Sequence, residues 1–184
     1  MAERGRAMKV LLQAGLLLVL LAAVPVLAEK GDKEKSRNAD VVAPDAAVHA
    51  AYECISGAAG RERDWPRMRH LWLDGARIIL SSQEYAGKRR WENLDLETFI
   101  KRVSVYYRQE GIFEREIAAT VHRFGNVAQV WSTFEVCKGA PDGPVIGRGI
   151  NAWQLVETEG RWLIAQLIYD FESDRNPLPQ RYLQ

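Results

Sequence analysis

Apolar positions change their spacing twice along this chain. From Val10 to Leu27 they run almost unbroken, from about residue 45 they recur at helical intervals, and from Ile112 they alternate. The helical stretch resolves into three segments. Residues 45–56 carry Val48, Tyr52 and Ile55 at i, i+4 and i+7, with Asp45 as the expected N-cap and Gly57 as the stop. Asp64-Trp65-Pro66 opens a second, short helix, with Asp64 capping, proline in the first turn, and Met68, Leu71 and Trp72 on the buried side. Asp74-Gly75 predicts a turn and Ala76 to Leu80 a short strand. Asp95 caps a third helix that reaches about Gln109 and ends at Gly111, with Leu96, Phe99, Ile100, Val103 and Tyr107 inward.

The alternating stretch from Ile112 to Glu172 predicts two long hairpins. The first turns at Gly125-Asn126 and the second at Glu159-Gly160. Two-residue loops set the registers. In the first hairpin Val121 faces Val130, Ala119 faces Ser132 and Ile117 faces Phe134. Its other face pairs Thr120 with Trp131, His122 with Gln129 and Glu116 with Glu135. In the second, Leu155 faces Ile164, Trp153 faces Gln166, Asn151 faces Ile168 and Gly149 faces Asp170. Both faces of the second hairpin are rich in apolar groups, whereas a sheet with one wet face alternates cleanly. Its second face is therefore expected to be covered, by the chain's own tail or by another subunit. Asn176-Pro177-Leu178-Pro179 predicts an extended tail.

Composition adds a compartment. Arg4, Arg6 and Lys9 precede the apolar run, which ends in Val26-Leu27-Ala28, the pattern of a signal peptide over residues 1–28 cleaved near Ala28. The rival is an uncleaved anchor, the one route by which this chain would touch a membrane; Gln13 and Pro25 interrupt the span. Met8 is an alternative start to Met1. Residues 29–44 are charged and poor in large apolar groups, as expected of a flexible linker. Residues 45–184 then form one domain, secreted or periplasmic. Losing residues 1–28 removes three basic residues and one acidic one, so the formal charge moves from +1 to −1. A near-neutral chain offers no electrostatic footprint for nucleic acid. Cys54 and Cys137 either pair in an oxidising compartment or stay as buried thiols.

The residues Arg63-Asp64-Trp65, Asp74-Gly75-Ala76, Phe113-Glu114-Arg115-Glu116, Phe124-Gly125-Asn126-Val127-Ala128, Arg148-Gly149-Ile150-Asn151, Gly160-Arg161-Trp162 and the Asn-Pro-Leu-Pro tail follow the three-helix, two-hairpin order. In this the chain resembles the nuclear-transport-factor-2-like superfamily, and within it the SnoaL-like and ketosteroid-isomerase-like proteins. The resemblance implies an α+β fold, with three N-terminal helices packed in the concave face of a curved, mostly antiparallel sheet. It further implies a pocket inside this cone and a homodimer through the outer face. It does not fix a reaction, because one fold hosts many functions.

Candidate chemistry is sparse. Asp170 lies late in the last strand, where enzymes of the resembled superfamily often place a pocket acid. Facing inward, desolvation would raise its pKa and make it a general acid or base; otherwise it is a solvated strand-end carboxylate. Strand parity puts Arg115 on the face of Ile117 and Val121, where it needs a partner or reaches water at the rim. Tyr52, Trp72, Tyr107, Asn151 and Trp153 are the candidate ligand-binding residues, with core packing the alternative for each aromatic. The three histidines show no metal-ligand spacing, and no phosphate loop or nucleophile motif occurs, so neither metal nor cofactor is expected. Three functions follow from these residues. One is an exported domain for an unknown small ligand. Another is a cofactor-free isomerase or dehydratase using Asp170, with Arg115 stabilising charge. The third is an interaction domain acting through the outer sheet face.

Overall fold

The computed structural model describes residues 34–81 and 90–184. The predicted signal peptide, residues 1–28, lies outside the described residues. Residues 34–38 are helical and belong to a separate unit, Met1–Asn38, while Ala39–Gln184 forms one compact unit. Asp40 and Val41, within the segment expected to be a linker, are buried in that compact unit. The Asp40 carboxylate takes both forks of the Arg67 guanidinium at 2.7 Å, and the Val41 carbonyl accepts from the Trp162 N–H at 2.8 Å. The fold therefore begins a few residues before Asp45.

Helix α1 spans Pro44–Ile55 and buries Val48, Tyr52 and Ile55 as one stripe. Full burial of each such side chain contributes about 1.5–3 kcal/mol. Its N-cap is Ala43 and makes no side-chain bond, so Asp45 sits in the first turn instead of capping it. Proline at the helix start explains this, because its missing N–H and fixed φ suit the first turn. Helix α2 (Trp65–His70) and helix α3 (Leu96–Glu110) have the expected caps, Asp64 accepting from the Arg67 N–H and Asp95 from the Thr98 N–H. Gly111 ends α3 at φ 65°, and a Cβ there would lie 2.8 Å from the Ala59 nitrogen.

Six strands form one curved sheet in the order β2-β1-β6-β5-β4-β3, giving an α+β fold. They are β1 (Trp72–Ser81), β2 (Trp91–Leu94), β3 (Ile112–Phe124), β4 (Val127–Lys138), β5 (Val145–Thr158) and β6 (Arg161–Phe171). Only β1 with β6 is parallel; the other pairs are antiparallel. Strand β1 starts before the expected turn: Asp74-Gly75 is a register break inside it, between Trp72 and Arg77. Strand β2, which no alternation had marked, pairs with the end of β1.

Both predicted hairpin loops hold, and Glu159 and Gly160 both take positive φ, 54° and 73°. Each hairpin also carries a β-bulge. In β3, Ala118 faces Thr133 while Glu116 faces Phe134, which leaves Ile117 unpaired. In β6, Ile164 faces Leu155 while Gln166 faces Gln154, which leaves Ala165 unpaired. An extra residue reverses side-chain parity beyond it. Beyond Ile117 toward the start of β3, Glu114 and Glu116 turn to the helix-covered face and Arg115 away from it. Beyond Ala165 toward the end of β6, Leu167, Tyr169 and Phe171 face inward and Asp170 outward.

The outer face is partly covered by the tail. The Thr133 hydroxyl donates to the Tyr182 carbonyl at 2.5 Å, and the Tyr182 ring packs on Trp131 with centroids 5.7 Å apart. The chain's own tail thus takes part of the face for which a second subunit was the other expected cover.

Candidate functional site

The inner face and the helices enclose a cavity of about 260 Å³. Its walls come from every layer: Ala51 and Ile55 of α1, Met68 of α2, Trp72 and Ile78 of β1, and Phe99 of α3. The sheet adds Phe134, Trp153, Leu167 and Tyr169, with Phe171 at the rim. The rings pack edge-on or tilted: Trp72 on Trp153 at 6.1 Å, Phe134 on Phe171 at 5.5 Å, and Tyr169 on Phe171 at 5.8 Å. Tyr106, Ile146 and Phe171 line the cavity yet are 48%, 50% and 43% exposed, so it opens to solvent between α3, the start of β5 and the end of β6.

One polar group chain interrupts this apolar lining. The Asn151 amide donates to the Tyr52 hydroxyl at 2.9 Å and to Glu114 Oε1 at 3.3 Å. Tyr52 shares a further 2.7 Å bond with the buried Ser132 hydroxyl. The backbone fixes Glu114 as well. Its N–H donates to Ser56 Oγ at 2.9 Å, while the Ser56 hydroxyl donates to the Tyr52 carbonyl at 2.7 Å. One residue on, the Gly57 N–H donates to the Ile112 carbonyl at 2.7 Å, so the end of α1 is stitched to the start of β3. Arg63 braces the same corner. Its buried guanidinium donates to the carbonyls of Ile55, Gly57 and Tyr107 at 2.8, 2.7 and 2.6 Å, joining the end of α1 to α3.

Burial pushes the Glu114 carboxyl up to about 7, against a weaker opposing pull from the Asn151 amide. Burial likewise raises Tyr52 and Tyr107, and lifts Tyr169 to about 12, so these phenols stay neutral. The indole N–H groups of Trp72 and Trp153 are buried without a hydrogen-bond partner.

Of the residues singled out from sequence, Trp72, Tyr107, Asn151 and Trp153 meet at this cavity. Tyr52 stands behind it and holds Asn151. Asp170 does not reach it. It lies on the outer face with Ile150 opposite, accepts from the Ser81 hydroxyl, and lines a separate groove under the tail. Arg115 is also outside, exposed and paired with Glu135. The expected Glu116–Glu135 apposition is replaced by Arg115–Glu135. Both displacements have one cause, the unpaired residue in each strand. Glu114, Phe134 and Tyr169 are the site residues that sequence reasoning missed. A signal for Glu114 was present: Ile112 and Val121 are both apolar but nine positions apart, which period two cannot place on one face without an insertion.

Cys54 and Cys137 are both buried and free, with burial pushing the Cys54 thiol up to about 12. Among the described residues, no group of His, Cys, Asp or Glu has metal-site geometry. No described helix is long and apolar enough to cross a membrane.

No family model and no curated protein matches the chain. Solved structures do. The chain is similar to an NTF2-like protein of unknown function from Silicibacter pomeroyi, with 17% identity over 68% of this chain and 89% of that one, at a TM-score of 0.46. It is also similar to an NTF2-like protein from Cytophaga hutchinsonii, with 14% identity over 59% and 82% of the two chains and a TM-score of 0.43. The yeast UBP3-associated protein BRE5 matches at 12% identity over 70% and 93%, with a TM-score of 0.49. These are likenesses at 12–17% identity and concern the fold alone.

Proposed function

We propose that this is an exported small-ligand-binding domain whose cavity takes a compact, largely apolar ligand with one polar end. The observation that carries the reading is the aromatic cavity of about 260 Å³ with one acid–amide pair in its wall. Ligand sites have this composition, apolar walls with a few fixed polar groups, and a cavity of this size suits a ligand of one or two rings. Export rests on the leader pattern of residues 1–28. The test is native mass spectrometry on mature protein taken gently from the envelope, beside an Ala51→Phe variant that fills the cavity. A small molecule retained by the natural chain and lost from the variant is the expected result. An equal load on both, or an empty natural chain, counts against it.

A second reading has its own support. A carboxyl with a pKa of about 7 can both give and take a proton at neutral pH. In a cofactor-free isomerase or dehydratase, Glu114 would do the work first expected of Asp170. Turnover of a candidate substrate should then fall on Glu114→Gln by about 100-fold or more while KM changes little, and a bell or single-limb pH profile should bend near neutrality.

A further inference from the structure

We infer that the polar end of the cavity takes an organic cation, an amine or quaternary ammonium head carried on a ring or short apolar body. This rests on the ligand-binding reading of the same cavity and narrows it to one class.

The charge inventory is the first ground. Among the described lining residues Glu114 is the only acid, and no lysine, arginine or histidine joins it there. Its neighbours on the sheet send their charges elsewhere. Arg115 pairs with Glu135 on the outer face and Arg148 with Glu172. The hydrogen-bond partner of the Glu114 carboxyl is a neutral amide at 3.3 Å. A carboxylate withdrawn from water with no cation beside it is costly, and a guest of positive charge would supply what the protein does not. A carboxylate or phosphate guest would meet repulsion at the same spot.

The walls are the second ground. Cations favour the faces of aromatic rings, and cages of such rings with one acid suit methylated ammonium groups. Trp72, Tyr107, Phe134, Trp153 and Tyr169 all line this cavity, and their tilted packing turns rings at several angles to one another. The other titratable groups facing Glu114 are the phenols of Tyr52, Tyr107 and Tyr169, which stay neutral through physiological pH, and Glu116 two residues away on its own strand.

The test uses the mature chain, read by the fluorescence of its cavity tryptophans. Two probes are titrated, benzyltrimethylammonium and its uncharged carbon isostere, neopentylbenzene. The cation should bind about tenfold or more tightly than the isostere at pH 8. That preference should shrink as pH falls below about 7, where Glu114 takes up a proton. Glu114→Gln, checked as folded by its unfolding transition, should bring the cation to the isostere's affinity. An isostere that binds as well as the cation overturns the charge assignment and leaves the cavity reading standing. A preference that survives Glu114→Gln overturns the assignment to Glu114. If neither probe binds, both this inference and the cavity reading fall.

Discussion

Tyr52 shows how one side chain serves packing and polarity together. Its ring lies in the core, edge-on to Trp153 with centroids 5.9 Å apart, and its hydroxyl joins Ser132 to Asn151. Tyr52→Phe keeps the ring and strands two buried partners. Unfolding in urea should show a loss of about 1–3 kcal/mol, the usual cost of leaving buried polar groups unpaired. Glu114 predicts a pH dependence of opposite sign to the common carboxylate case. Its folded pKa is about 7, above the value of about 4.3 expected unfolded. Between those values the folded state binds more protons than the unfolded one, so stability falls as pH rises and levels off above 7. Glu114→Gln removes this term and keeps an acceptor for Asn151. The variant should therefore gain on the natural chain by roughly 3 kcal/mol between pH 4.5 and pH 8, read from paired denaturation curves. A constant gap between the two curves would mean that Glu114 keeps an ordinary pKa.

At the scale of elements, the helix ends were the most legible feature and the strand faces the least. Asp64 and Asp95 are short acids directly before helical runs, and each accepts a backbone N–H in the first turn. Asp45 follows a proline and therefore caps nothing. Asp95→Ala should cost about 1 kcal/mol in thermal or urea unfolding, whereas Asp45→Ala should stay within about 0.5 kcal/mol of the natural chain. The hairpin loops were equally plain, because Gly125-Asn126 and Glu159-Gly160 are strong local signals. The bulge at Ala165 was not, since it depends on what lies across the sheet, and the one at Ile117 left only the odd spacing of Ile112 and Val121 as a trace. Their effect was large: the turn-based registers put Arg115 and Asp170 on the inward-facing side of their strands, and the real ones put Glu114 and Tyr169 there. Four of the five aromatic and amide candidates reached the cavity regardless. Trp72 and Tyr107 lie outside the bulged strands, and Asn151 and Trp153 lie on β5, whose side-chain parity follows from its own turn.

For the whole molecule, the question is what covers a sheet with two apolar faces. Helices cover the concave side. On the outer side the tail runs back over β4 and β5, where Tyr182 packs on Trp131 and accepts from Thr133, and the Leu178 N–H donates to Glu172 at 3.0 Å. Away from the tail, Phe124 and Val127 at the first hairpin loop stay 87% and 54% exposed. Removing residues 176–184 would therefore join an uncovered strip around Trp131, Ile150 and Ile168 to an outer face already partly bare. Large contiguous apolar patches drive association. The shortened chain should lose about 1–3 kcal/mol of stability from the missing bond and ring contact. In sedimentation at matched concentrations it should also self-associate more strongly than the full-length chain. Cavity binding should change little, because the tail touches the opposite side of the sheet from Glu114 and Asn151. If truncation left both stability and mass distribution unaltered, the tail would not be a cover, and the outer face would have to be shielded by a second subunit instead.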